Sequence, residues 1–456
     1  MFVKARNIEM TQGALLPAML MFALPLMAAS VLQLMFNAAD IAVVGHFGSA
    51  HSLAAVGSTG SMINLFVSFI IGGSIGVSVL VSRALGARDF KMVRRIVHTS
   101  VSLGILFGTL CVVAGLTFSE RLLILMRTPA EVLPLSVLYT RIYFTGTLPN
   151  VMYNFGAAIL YANGDTKKPL FFLMVSGVFN VVMNLIFIIC FKMDVAGVAL
   201  ATALSQALAL TMILIHLTHR RDALRVYLNR LLIDRKITID ILKLGIPAGF
   251  QSVVFNVSNI VVQSAVNSLG ALYMAAKAAV SNVDCFIWIA MNAFLPTATN
   301  FISRNIGAKK YGRINKITAL ALLCACVTGL ILGGFAFFFG RELLGLYTSD
   351  PAVVDAGLIQ LRLLAFTYIS CGMMDTMTGA LRGLGNSLLP AVISMTGACG
   401  LRLIWVATVF QIPEYRTFWY LSLAYPVSWT TTLFVLLVAY HFVRRRFPKR
   451  DGGEGR

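Results

Sequence analysis

The sequence predicts an all-α polytopic membrane protein, with twelve transmembrane helices arranged as two six-helix lobes related by a pseudo-two-fold axis along the membrane normal. Three observations predict it. The chain is 58% hydrophobic and 12% charged, with a mean hydropathy of +0.83, where a soluble domain carries about a quarter charged residues. It contains twelve apolar runs long enough to cross a bilayer, which takes about 20 helical residues each. And it repeats itself at a nearly constant offset.

The runs fall at about 15–44, 53–81, 96–118, 133–160, 169–191, 196–217, 241–268, 274–302, 317–339, 354–380, 388–410 and 417–442. Their apolarity is continuous rather than alternating, which excludes the strands of a transmembrane barrel. Lys and Arg set the orientation. One alternating set of segments between the runs holds 28 of them and the other holds 6. Three more, Arg141, Arg362 and Arg402, lie inside runs. By the positive-inside rule both termini are expected in the cytoplasm, the protein crossing its membrane many times. The net charge of +19 then reports topology, and no nucleic acid partner is expected. The basic tail from Arg444 to Arg450 belongs to the same anchoring pattern.

The first run, Leu15–Val44, carries Pro25 and, toward its far end, Gln33, Asn37 and Asp40 at spacings of four and three, on one helical face. Apolar residues continue past the aspartate, so a carboxylate sits inside the hydrophobic stretch, where it is costly and by default functional. The run is too long for a cleavable signal. Gly72, Gly73 and Gly76 in the second run read as helix packing, because no basic residue or hydroxyl follows at nucleotide-binding spacing. His46 and His51 lie in the loop between these runs and read as solvated.

The repeat then becomes visible. Ser82–Ala87 (SRALGA) recurs as Ser303–Ala308 (SRNIGA), and Gly164–Pro169 (GDTKKP) as Gly385–Pro390 (GNSLLP). Arg141 falls on Arg362, Pro25 on Pro247, Asn37 on Asn259 and Gly48 on Gly270, and the offset is the same for all of them to within one position. Six runs per repeat is an even number, so both halves enter from the same side and a central cavity between them is expected. The expected organisation is an N-terminal lobe at 1–217, a basic cytoplasmic linker at 218–240, a C-terminal lobe at 241–443 and a tail at 444–456.

In the second half, the seventh run offers the uncharged polar face Ser252, Asn256, Asn259 and Gln263. The eighth and tenth runs hold single carboxylates, Asp284 and Asp375. Lys277 is expected to snorkel toward an interface. Arg402 has no partner legible in the sequence. All seven cysteines lie in apolar runs without a CxxC pair, so neither a disulfide nor a metal site is expected.

NAADIAVVGHFGS (37–49), SRALGARD (82–89), AAILYANGDTKKPL (157–170), GVFNVVMN (177–184) with VAGVALATALSQ (195–206), AAVSNVDCF (278–286) and SRNIGAKKYGR (303–313) resemble, in order and spacing, the motifs of the multidrug and toxic compound extrusion (MATE) transporters. The likeness covers nearly the whole chain and is to prokaryotic members nearer the DinF-like branch. It implies export of a small organic compound, cationic and lipophilic, by antiport with H⁺ or Na⁺. It implies no enzyme activity and no cofactor; a working monomer in the bilayer is expected. Asp40 falls on the family's ion-coupling aspartate and Pro25 on its proline at the proposed helix bend. Asn180, Asn184 and Thr202 fall on the polar cluster around that aspartate, with Asn184 where many relatives have aspartate. One buried acid suffices to carry a proton, so that departure favours H⁺ and leaves Na⁺ as the alternative. Gln33, Phe36, Asn37 and Asn154 in one lobe, and Asn256, Asn259, Asp284 and Asp375 in the other, are the expected substrate cavity. The runner-up is a flippase of lipid-linked saccharides from the same superfamily, which would want a more cationic cavity.

Overall fold

The computed structural model describes residues 8–47, 50–126, 128–448 and 451. Lys4, Arg6, Gly48, Arg127, Lys449, Arg450 and Arg456 of the sequence reading lie outside them. Every regular element among the described residues is helical, and each of the twelve runs is helix over most of its length. Ten helices among them are long and apolar enough to cross a membrane, and the tenth run adds an eleventh as the pair Pro351–Ala365 and Tyr368–Gly383, bent by 50°. The fourth run is delivered as two shorter helices, Leu133–Thr145 and Thr147–Ala162. The break has a local cause. Pro149 lacks the N–H that would bond to the carbonyl of Thr145, one helical turn back. The eighth run repeats the device: Ala271–Asn292 gives way to Phe294–Gly307, and Pro296 lies one turn past Asn292. The fifth and eleventh runs each contain a π-helical stretch, Ile186–Cys190 and Met395–Gly400.

The duplication is written in the backbone as well as in the sequence. The loop after the second helix turns at Arg88 with φ 55°, and its counterpart in the second repeat, Lys309, has φ 56°. Gly164 and Gly385 both take the left-handed conformation, with φ 84° and 91°, in which a side chain would be strained. Immediately after each glycine, a polar side chain caps the next helix: Asp165 Oδ1 accepts from the Lys168 N–H at 3.2 Å, and Asn386 Oδ1 from the Leu389 N–H at 3.1 Å. Asp and Asn differ in charge, but both supply the oxygen that an N-terminal turn requires.

Two compact units emerge, cut differently from the linear lobes expected at 1–217 and 241–443. One spans Ala28–Leu242; the other joins Glu9–Met27 to the chain from Lys243 onward. The first helix, Leu15–Phe47, runs unbroken through Pro25, and the boundary between units falls just past that proline, after Met27. Hydrogen bonds explain why the N-terminal approach counts with the second unit. Asn305 Nδ2 donates to the Met10 carbonyl at 2.9 Å, Lys310 Nζ to that of Thr11 at 3.0 Å and Arg313 Nη2 to that of Gly13 at 3.1 Å.

The 218–240 linker is correspondingly no free connector. Leu224, Val226, Ile237 and Ile241 are buried in the core of the first unit, with Val77, Val97 and Leu217. A side chain at Gly76 would meet the Ile241 carbonyl oxygen at 2.3 Å, so glycine is needed for that close approach. Asp234 anchors the start of helix Arg235–Asn267. It accepts from the backbone N–H groups of Lys236 and Ile237 at 3.0 and 3.2 Å and pairs with Arg95. The Ile237 N–H, with Arg95 assisting, holds its carboxyl below the usual range. A folded pKa below the unfolded one stabilises above the unfolded value and loses that stabilisation as pH falls through the folded value. Asp234→Ala is therefore expected to lower the thermal unfolding midpoint of the detergent-purified protein at pH 7, with the deficit shrinking as the acid range is entered.

Candidate functional site

In the first unit, the far half of the first helix packs on the fifth run (Lys167–Leu185) along a polar seam. Asn184 Nδ2 donates to Asp40 Oδ1 at 2.5 Å. The same amide reaches Asn180 Oδ1 at 3.4 Å, and Asn180 Nδ2 reaches Thr202 Oγ1 at 3.4 Å. Thr202 donates to its own helix, to the Val198 carbonyl at 2.9 Å, and faces the Asp40 carboxylate as well. Asn180 and Asn184 are buried, at 4% and 0% exposure, while Asp40 is half-buried. The four residues expected at the ion-coupling cluster are thus in one place. No cation lies within ion-pair distance of Asp40 among the described residues, so its carboxyl group is met by amide and hydroxyl dipoles instead. The oxygen of the amide at its centre, Asn184 Oδ1, is buried without a hydrogen-bond partner among the described residues.

Gly177 makes this seam possible. A Cβ there would lie 1.8 Å from Phe36 Cε2, so the phenyl ring of the first helix is seated directly on the backbone of the fifth run. The motif GVFNVVMN (177–184) begins at this glycine, but nothing in the sequence marks it as the seat of Phe36. The expected cavity residues of this unit are dispersed. Gln33 and Asn37 are exposed and make no hydrogen bond among the described residues. Asn154 bonds within its own helix, to the Asn150 carbonyl at 2.9 Å and side chain at 2.6 Å.

The second unit differs in polarity. Asp284 accepts from the Tyr368 hydroxyl and lies 3.8 Å from Lys277 Nζ. Lys277, expected at an interface, is instead 8% exposed and lies over the Tyr425 ring at 5.0 Å. An acid two turns along its helix and an aromatic face hold its ammonium inside. Asp375 faces the Trp288 side chain. Arg382, counted from the sequence among the loop cations, is 4% exposed and donates to Gln251 Oε1 at 2.7 Å. Arg402 is 2% exposed, between the Tyr425 and Trp429 rings, and donates to Ser428 and Asn259. Asn256, half-buried, makes no hydrogen bond among the described residues. No group of three or more His, Cys, Asp and Glu that could hold a metal ion occurs among them either.

A membrane-spanning helical scaffold, duplicated, with a lone carboxylate set in an amide seam, has the features of a transporter, and similarity to known proteins places it further. The MatE family model matches residues 25–186 and again 247–408, so the two matches begin at the paired prolines of the repeat, Pro25 and Pro247. The probable multidrug resistance protein YoeA of Bacillus subtilis is 26% identical over 438 residues, covering 94% of both chains. The probable multidrug resistance protein YpnP of the same organism is 30% identical over 391 residues, covering 85% of this chain and 86% of its own. A MATE structure in complex with MaL6 superposes with a TM-score of 0.90 at 19% identity, covering 97% of this chain and 99% of that one. The chain belongs to the MATE family of multidrug transporters, and its fold is theirs, twelve helices in two lobes.

Proposed function

We propose that the protein is an antiporter that exports lipophilic organic cations and takes up a proton at Asp40 in exchange, working as a monomer in the prokaryotic inner membrane with both termini cytoplasmic. The observation that carries the reading is the amide seam. Asn184 commits its N–H to the Asp40 carboxylate and leaves its own oxygen buried and unpaired. An orphaned buried acceptor costs about 1–3 kcal/mol. A proton on Asp40 cancels the charge the amide serves and supplies an O–H that a turned Asn184 accepts. Binding the proton thus trades one arrangement of the seam for another, a two-state element of the kind alternating access needs. Na⁺ is the weaker candidate, because Asp40 is the one carboxylate of the cluster and sodium prefers several oxygens with net negative charge.

Efflux of a cationic dye from proteoliposomes under separately imposed gradients tests it. A proton gradient alone is expected to drive export and a sodium gradient alone to do nothing; the reverse overturns the ion assignment. The alternative, a flippase for lipid-linked saccharides, draws support from three buried cations of the second unit, Lys277, Arg382 and Arg402. Turnover stimulated by such a lipid, with no response to cationic dyes, would select it.

A further inference from the structure

In the second unit, the seam between the seventh and eleventh runs is the counterpart of the Asp40 seam, and it holds a cation where the first holds an acid. Contact relates the two seams within one position of the count. Phe36 is seated on Gly177 in the first unit; Ser258, the counterpart of Phe36, faces Cys399, one position past that of Gly177. Asn259 stands for Asn37 and Val262 for Asp40, and Arg402 lies one position past the counterpart of Asn180. Valine replaces the acid of the first seam, and a guanidinium stands beside the place of its amide.

That guanidinium is held as a receptor group is held. Its Nε donates to Ser428 Oγ at 3.1 Å and its Nη1 to Asn259 Oδ1 at 3.5 Å. Its face is flanked by Tyr425, 4.5 Å to the ring centre, and Trp429, 5.5 Å. Nη2 has no acceptor among the described residues, yet it is not among the atoms sealed from solvent, as the Nε of Arg382 is. No carboxylate lies within 4.0 Å of the side chain among them. Of the two acids of this interior, Asp284 pairs with Tyr368 and Lys277, and Asp375 faces Trp288 and lies within electrostatic reach of Arg402 and Arg382 without an ion pair to either among the described residues. Lys277 meanwhile lies over the same Tyr425 ring, so two cations flank one tyrosine. A buried charge without a contacting counterion is costly, and an oxyanion at the free edge of a fixed guanidinium relieves it with short, charge-assisted hydrogen bonds.

We propose that Arg402, with Asn259, Ser428 and the Tyr425–Trp429 pair, is an oxyanion site that binds the carboxylate or phosphate group of an amphiphilic aromatic or lipid-like compound. The site deepens the export reading, resting on it only in taking the bound compound for cargo, and it extends the substrate class from cations to zwitterions and amphiphilic anions.

Equilibrium binding to the full-length protein in phosphatidylcholine nanodiscs, at neutral pH and without a gradient, tests it with rhodamine B, which carries a carboxylate, and its ethyl ester. The carboxylate dye is expected to bind about tenfold or more tighter than the ester, about 1.4 kcal/mol. Arg402→Gln should remove that preference and leave ester affinity within about twofold. Asn259→Asp, isosteric at an exposed position, gives Arg402 an internal carboxylate and should abolish the preference while the protein still unfolds near the wild-type temperature. Equal binding of the two dyes to wild type overturns the proposal, as does a parallel loss of both in Arg402→Gln, or a preference that survives Asn259→Asp. Adding phosphatidylglycerol to the discs separates the two sources: displacement of rhodamine B from wild type assigns the site to the phosphate of a net-anionic lipid, which the zwitterionic phosphatidylcholine does not supply, and undiminished binding assigns it to a soluble amphiphile. Because no gradient is used, failure here leaves the efflux test unaffected.

Discussion

Asp40→Asn is expected to reduce proton-driven export to the leak rate while leaving the protein folded. The substitution keeps the shape of the side chain and keeps an oxygen for Asn184 Nδ2, which donates to Asp40 at 2.5 Å in the native seam. What it removes is the charge and the capacity to exchange a proton. The hydrogen bond lost in strength is one of charge-assisted type, so the stability change should stay within about 1–2 kcal/mol. Dye efflux in proteoliposomes and thermal unfolding in detergent report the two effects separately. Export that persists at full rate under a proton gradient would remove Asp40 from coupling. Unfolding of the variant would instead make the aspartate a structural residue. Asn184→Ala makes the complementary case: it strips Asp40 of its closest donor and should shift the pH dependence of export rather than abolish it.

The fold was legible because bilayer thickness constrains run length, and because a gene-length duplication doubles every signal. The backbone angles at Arg88 and Lys309 show how literal that duplication is. The cluster of Asp40, Asn180, Asn184 and Thr202 was legible through the likeness to MATE motifs, because spacing orders polar residues along one helix, as it did Gln33, Asn37 and Asp40, and does not assemble residues from three. Three things were not. The reach of Lys277 inward rather than outward depends on Asp284 and Tyr425, and the tyrosine is remote in sequence, on the last helix of the chain. Arg382 reads as a loop cation because it lies at a helix end, and only packing against Gln251 reveals it as interior. Arg402 has all its partners on other helices. A lone charge in a hydrophobic run announces a site. Its sign and its company are set by tertiary packing, which a pattern of spacings does not encode.

Gly177→Ala is expected to impair both stability and export, which sets it apart from Asp40→Asn. The added Cβ would lie 1.8 Å from Phe36 Cε2 and 2.2 Å from Cδ2, where carbon atoms in contact stand about 3.5–4.0 Å apart. A phenyl ring is no flexible chain end, so either its rotamer or the spacing of the first and fifth helices must give, at about 1–3 kcal/mol. The seam registers that movement directly. Gly177, Asn180 and Asn184 share one helical face, and Phe36 and Asp40 lie one turn apart on the helix opposite, so spreading the helices at Gly177 draws Asn184 away from the carboxylate. Thermal unfolding in detergent should show the lower midpoint, and the efflux assay the weaker coupling. Phe36→Leu in the same chain removes the ring that the methyl group meets, and it should restore part of both losses, with a coupling energy of about 0.5–3 kcal/mol between the two positions. Additive losses in the double variant would mean that the ring and the glycine are not in contact, and the seam would then lack the steric floor assigned to it. Restored stability without restored export would mean that helix spacing and proton coupling are separable, leaving the Asn184–Asp40 bond to hold its geometry without Gly177.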